Sequence, residues 1–434
     1  MKPKIEFVSK RIILAIIGLV FLSAACGGGG NAGPQGPVIL TFWKTFEDSE
    51  HMATLFEAYR QLHPNVEIVY TKKNIENYEK DLLNALAAGS GPDIFSVHNS
   101  WLPEYTDKIT PAPDKIFNLR QYSESFVDAA VEDFTLDSKI YGVPLAVDSL
   151  ALYYNKDLLG TAGIAVPAKT WQELADQVKQ IARKDSKGYF TRSAVPLGLS
   201  LNINRAVDIY YLFMLQLGFK PEGLKSSFNG YLSQSIQKAG QTFVPARDAL
   251  DFYSSFADPR SENYNWNSRS DYSIDAFVNG RSAYLYSYAY TLQTIKQKAP
   301  NLRFDVAAVP QFNLDDPAVN FASYWGEVVS KQSKNQEIAW DFLKFISSKE
   351  SLDKYYAVNK QPSSRKDLID LQIQDPVIGA FAAGNLTAHS LYRPAQVKFD
   401  TIIGQMIDDV ILKGVGFSEA VSRAEQQVLT LIRE

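Results

Sequence analysis

From Val38 onward the chain alternates short apolar runs with stretches whose apolar residues recur at helical spacing. Val38 to Trp43 predicts a strand, and Met52, Leu55, Phe56, Tyr59 and Leu62 then mark one face of a helix that Pro64 stops. Val66 to Tyr70 predicts a second strand. Tyr78, Leu82, Leu83 and Leu86 form a second helical stripe, closed by Gly89-Ser90-Gly91-Pro92 before a strand from Asp93 to Val97. Strand, helix, strand, helix, strand implies a parallel sheet with helices on its faces.

The alternation resumes near residue 150. Tyr141-Gly142-Val143-Pro144 and Leu150 to Tyr154 read as extended, and Thr170-Trp171-Gln172-Glu173 is a capping box opening a helix to about Lys184. Asp271 to Asn279 predicts a helix closed by Gly280. Strands follow at Ser282 to Tyr286, Arg303 to Val309 and Trp325 to Ser330. Asn335 is placed as the cap of a helix carrying Ile338, Phe342, Phe345 and Ile346. The chain ends in two amphipathic helices, Val397 to Lys413, stopped by Gly414, and Ser418 to Ile432. No repeat of 20–50 residues recurs, which argues against a solenoid or propeller.

The N-terminus breaks this pattern. Lys2, Lys4, Lys10 and Arg11 precede an apolar run from Ile12 to Leu22, then Ser23-Ala24-Ala25-Cys26. The run falls short of the ~20 residues a spanning helix needs, so residues 1–25 read as a signal peptide. Small residues before the single cysteine resemble a bacterial lipobox, with Ser23 where leucine is usual; Cys26 is then the lipidated first residue. The alternative is a plain secreted protein with an incidental cysteine. Residues 26–37, opening with Gly27 to Gly30, carry almost no apolar side chains and read as a flexible tether.

Composition narrows the function classes. At 434 residues, two domains are expected, each able to bury a core. One cysteine excludes an internal disulfide framework and any Cys-based metal cluster. The net charge of −4 becomes −7 once residues 1–25 and their four basic and one acidic side chains are removed. No Lys/Arg run exceeds two, so nucleic acid is not an expected partner. His51, His63, His98 and His389 lie in unrelated segments, and no metal or other cofactor is expected.

Several segments carry a resemblance to a known family. They are Leu40-Thr41-Phe42-Trp43, Ala87 to Ile94, Ile140 to Asp148 followed by Leu152 to Leu159, Phe277 to Tyr284, and Ala339 to Ile346. In this order, behind an export signal, they resemble the bacterial extracellular solute-binding proteins related to maltose-binding protein, the sugar-binding lipoproteins of ABC importers. The resemblance implies an α/β, two-lobed periplasmic-binding-protein fold of the class II type. Each lobe is then a central mixed sheet flanked by helices, with the ligand cleft between the lobes. It places lobe 1 at residues 38–147 and 310–356, lobe 2 at 148–309 and 357–434, and crossovers near Asp148, Val309 and Tyr356. The implied partners are a carbohydrate ligand, the permease subunits of an importer, and the bilayer through a diacylglyceryl group on Cys26. A monomer is expected.

The candidate site residues sit mostly at strand ends, where open α/β sheets bind ligands. Trp43 ends the first strand and suits either stacking on a sugar face or core packing. Glu47 follows it as a hydroxyl acceptor, whereas Asp48 equally fits a helix N-cap. His98, Asn99 and Trp101 follow the third strand, with His98 as a hydrogen-bonding loop residue. Trp266, flanked by asparagines, reads as an exposed loop ring. Arg393, before the C-terminal helices, either reaches the cleft or is a surface side chain. The resemblance puts Asp148 at the first crossover, as a hydroxyl acceptor or as a hinge residue bonded to backbone amides. It also makes Tyr288 the stacking ring of the loop after the Ser282 to Tyr286 strand, where a tryptophan is usual, and Trp325 a ligand-facing aromatic. Trp171 and Trp340 lie inside amphipathic helices and are left to packing. With Arg393 the only basic candidate, a strongly anionic ligand is disfavoured.

The expected function is a lipid-anchored extracytoplasmic receptor that is not an enzyme. A surface-anchored glycoside hydrolase would also show cleft rings and carboxylates, and a sensing or adhesion lipoprotein would need no importer. The chain lacks Gly-x-Ser-x-Gly, Gly-x-x-x-x-Gly-Lys and His-Glu-x-x-His.

Overall fold

A computed structural model of the chain describes residues 36–220, 231–238 and 240–433. The signal peptide, Cys26 and nearly all of the tether lie outside the described residues. The first sheet has five strands. β1 (Val38–Lys44) runs parallel to β2 (Val66–Lys72) and to β3 (Ile94–His98), and the strand Trp325–Ser330 lies antiparallel between β3 and β4 (Ile109–Thr110). The helices α1 (Ser49–Leu62) and α2 (Tyr78–Ala87) connect β1 to β2 and β2 to β3, as the hydrophobic spacing predicts. Leu40 and Phe42 of β1 are buried with Met52, Leu55 and Tyr59 of α1 in a first core that also holds Phe342 and Ile346. Gly326 is required in that core. A Cβ there would stand 2.3 Å from the Phe134 ring.

The second sheet differs from the mixed arrangement expected. Ala151–Asn155 is its central strand, flanked by Tyr284–Ser287 and Phe304–Ala307, and both pairings are antiparallel. Around it packs a second core that includes Trp171, Phe213, Tyr253 and Phe399. The capping box at Thr170 and Glu173 forms and opens the helix Trp171–Ile181. Asn335, by contrast, makes no side-chain cap on the helix Gln336–Ile346.

Three segments join the two cores side by side. Ser149 bridges Ala322, Leu150 N–H donates to Phe321, and Asn320–Phe321 pairs with Ala388–His389. Asp148 immediately precedes the first of these segments. Val309, Phe312, Val319 and Phe321 pack on the second core and Ala322 on the first. Leu352, Tyr356, Leu368 and Ile369 lie in the first core, Ile378 and Phe381 in a third cluster with Ala151 and Tyr153 of the second sheet, and Leu391 in the second core.

Candidate functional site

The carboxyl ends of β1 and β3 and the start of Trp325–Ser330 come together, with Trp325 opposite His98. Lys44 is turned inward there. Its ammonium pairs with Glu327 and stands 3.6 Å from Glu47. Burial opposes charge on Lys44, but the two carboxylates prevail and raise its pKa. Burial likewise opposes the Glu47 carboxylate. Lys44 and hydrogen bonds from Tyr355 Oη (2.9 Å) and Gln361 Nε2 (3.3 Å) overcome it, so Glu47 ionises below the usual carboxylate range.

Beside this fixed charge lies an aromatic surface. Phe46 is 53% exposed and packs edge-on against the half-buried Trp325, centroids 5.6 Å apart. Trp325 is backed by Trp101, His98 and Tyr78 at 5.0, 5.6 and 5.8 Å. Trp43 is half-buried, and Lys73 Nζ sits 3.6 Å over its ring.

The residues that follow β3 are placed at this end but turned into the protein. Both ring nitrogens of His98 are engaged, Nδ1 with Ser100 and Nε2 with Ser323 Oγ at 3.0 Å. Burial, then Arg393 and Arg205, hold its pKa well below the ordinary value, so the ring is neutral. Asn99 donates to Asp133 (2.9 Å) and accepts from Tyr324 N–H (3.2 Å), and Trp101 is buried, stacked on Tyr105. The chain enters the tight turn Asn99–Trp101 and the helix Leu102–Tyr105 immediately, folding these side chains under the sheet edge.

A second set of candidate side chains belongs to the second lobe. Ser287 pairs with Ala151, which brings Asp148 beside the turn Tyr288-Ala289-Tyr290. Asp148 accepts from the Ala289 amide at 2.9 Å and the Tyr290 amide at 3.4 Å, the hinge arrangement rather than a free carboxylate. Burial nevertheless pushes it up to about 7. Tyr288, expected as the stacking ring, is only 1% exposed, and its hydroxyl donates to Asp208 at 2.9 Å. The ring at the surface is Tyr290, 49% exposed and stacked on Tyr288 at 6.1 Å. Arg205 Nε donates to Tyr290 Oη at 2.9 Å, and its guanidinium lies 5.4 Å from both rings. Arg205 holds φ +59°, a conformation unfavourable for a non-glycine residue and common at functional positions. It opens the helix Ala206–Gln216 and lines a pocket of about 470 Å³ with Asn204, Asp208, Asp400, Thr401 and Gln405.

Two further expectations are corrected. Trp266 is 1% exposed, packed in the second core with Nε1 donating to Asn202 at 3.0 Å; its asparagine neighbours bond internally instead of marking a solvent loop. Arg393 is neither at the cleft surface nor outside it. It is 2% exposed and paired to Asp208 (2.9 Å) and Asp400 (3.0 Å).

The sequence profile of bacterial extracellular solute-binding proteins matches residues 54–378, well over half of the chain. The chain belongs to that family. It is similar to the maltotriose-binding protein of Pyrococcus abyssi, 22% identical over 390 residues, covering 87% of this chain and 78% of that protein. It is also similar to the maltodextrin-binding protein MdxE of Bacillus subtilis, 24% identical over 375 residues and covering 81% and 80%. Among solved structures, the sugar-binding protein MalE of Xanthomonas citri superposes with a TM-score of 0.74 at 20% identity, over 91% of this chain and 98% of that one, sharing the two-lobed fold.

In this solute-binding protein the first lobe thus offers Phe46, Trp325 and Glu47, and the second Tyr290, Arg205, Asn204 and the pocket carboxylates. Phe46, Asn204, Arg205 and Tyr290 are absent from the sequence-based candidates. Tyr290 had a signal, the alternation from Tyr284, but only the turn after Ser287 separates a buried ring from an exposed one. Arg205 had none, because it precedes a helix whose residues are nearly all apolar and show no period.

Proposed function

We propose that this protein is the lipid-anchored extracytoplasmic receptor of an ABC importer, capturing a sugar or oligosaccharide between its lobes and presenting it to the permease. The observation that carries this reading is that each lobe presents aromatic rings beside polar side chains. Aromatic faces at Phe46 and Trp325 on one lobe and Tyr290 on the other suit the apolar faces of sugar rings, and Glu47, Asn204 and Arg205 suit their hydroxyls. Relatives named for maltotriose and maltodextrin binding support the same class. Arg393 is neutralised by Asp208 and Asp400, which favours an uncharged ligand. The lobes, residues 38–147 with the segment that begins at Ala322 and residues 148–321 with the C-terminal helices, close about the three joining segments. Cys26 carries the lipid, the tether spans to Val38, and the receptor acts as a monomer. No helix among the described residues is long and apolar enough to cross a membrane.

The test is a thermal-shift screen of the protein against neutral mono- and oligosaccharides, followed by product analysis of each hit. Micromolar binding, about −8 kcal/mol, without turnover is expected. Cleavage of a bound sugar, or no binding across the panel, overturns the proposal. Cys26→Ser should release the protein from the membrane fraction.

A further inference from the structure

The two lobes also touch just beyond the joining segment Ala388–His389. On the first, the helix Leu102–Tyr105 is fixed in the core by Leu102 and Tyr105 and leaves Glu104 exposed. On the second, Leu391 and Phe399 lie in the core and flank the lead-in to the helix Gln396–Lys413. Glu104 Oε1 accepts a hydrogen bond from the Ala395 N–H at 3.0 Å and stands 3.5 Å from Tyr392 Oη. Ser100 Oγ reaches Gln396 Oε1 at 3.3 Å alongside. Burial and the Glu104 carboxylate push the Tyr392 hydroxyl up to about 12, in keeping with that proximity.

Ala395 is the N-cap residue of this helix, at φ +43°, and makes no side-chain cap. Ala395 thus has no side chain to accept from the second or third helical N–H, its own N–H is the group a glutamate bonds in a capping box, and a negative charge is favoured at a helix N-terminus. Here the carboxylate on the Ala395 N–H comes from the other lobe, where a capping box would take it from the helix's own third residue. The helix it meets is part of the site: Thr401, Gly404 and Gln405 line the pocket, and Asp400 pairs with Arg393.

We propose that Glu104 is an inter-lobe positioning residue, capping from the first lobe the helix that forms a wall of the second-lobe pocket. Closure and the order of the pocket wall are thereby coupled. Separating the lobes withdraws the acceptor from Ala395 and frays the first turn of Gln396–Lys413; bringing them together restores it before Asp400 and Thr401 meet ligand. The inference rests on the receptor reading for its premise that the lobes separate, but its test uses no sugar.

The full chain carrying Cys26→Ser, Asp81→Cys and Asp251→Cys is spin-labelled at the two exposed positions, one per lobe, and inter-lobe distances are measured by electron–electron double resonance. Amide hydrogen exchange of residues 396–402 is followed in the same chain without labels. Glu104→Ala should add a longer-distance population and speed exchange in the first turn by about fivefold, the effect of losing one cap. Glu104→Gln, which keeps a carbonyl acceptor, should restore most of both. A change in one readout without the other, or in neither, overturns the coupling. Failure of all sugars to bind would instead sink the receptor reading and leave these two readouts as they stand.

Discussion

Replacing Arg393 by methionine removes the cation from a buried cluster while keeping most of the side-chain volume. Asp208 loses a 2.9 Å partner and Asp400 a 3.0 Å one. Breaking a buried ion pair by removing one partner costs about 3–5 kcal/mol, because an uncompensated charge remains. Two features place this case near the lower bound. Arg205 remains 3.8 Å from Asp208, and the Asp400 side chain is 30% exposed and can be hydrated. The expected loss is therefore ~3 kcal/mol, about two orders of magnitude in the folding equilibrium. Urea unfolding followed by tryptophan fluorescence reads it: with a slope of about 3 kcal/mol/M, the midpoint falls by about 1 M. Adding Asp208→Asn and Asp400→Asn to Arg393→Met removes the stranded charges and should recover most of the loss. A loss below about 1 kcal/mol, or a triple variant no more stable than the single one, would refute the assignment of Arg393 as a buried counter-ion.

Other outcomes follow from the same geometry. Tyr290→Ala and Trp325→Ala should each weaken binding of whichever sugar stabilises the protein by about 1–3 kcal/mol in calorimetric titration, leaving the unliganded melting temperature within a few degrees; unchanged affinity in both would place the ligand elsewhere. Asp148, raised by burial to about 7 in the folded protein, takes up a proton on folding between about pH 4 and 7. Its contribution to stability is therefore greatest at acid pH and falls as pH rises toward 7. Asp148→Asn should flatten that part of the stability profile, and a profile parallel to the parent's would contradict the assignment. Gly326→Ala places a methyl 2.3 Å from the Phe134 ring and should destabilise by about 1–3 kcal/mol, partly relieved by Phe134→Leu in the same unfolding assay.

The amphipathic elements were legible from the sequence almost to their ends. β1, α1, β2, α2 and β3 fall within a few residues of where hydrophobic spacing puts them, as do Trp171–Ile181 and the two C-terminal helices. Apart from β3, whose residues are all buried, each has one face in a core and one in water, and that contrast is written in the local order of residues. The helix Ala206–Gln216 escapes this reading because it is buried on nearly all sides and has no polar face to set a period. The strand ends of the site were legible for the same reason as the strands, and Trp43, Glu47, Trp325 and Asp148 stand at them.

Which side chains at those ends face the cleft was decided by tertiary structure. Tyr288 and Tyr290 are two residues apart in a tyrosine-rich run, yet Asp208, some eighty positions earlier, draws one inward and leaves the other to solvent. Trp266 is claimed by Asn202, and Arg393 by Asp208 and Asp400. Phe312 and Tyr356 are likewise held in cores built by distant segments. Burial of a polar or aromatic group depends on finding a partner for its hydrogen-bonding atom or charge. That partner is set by how the lobes fold, whereas the alternation of water-facing and core-facing residues needs only neighbours along the chain.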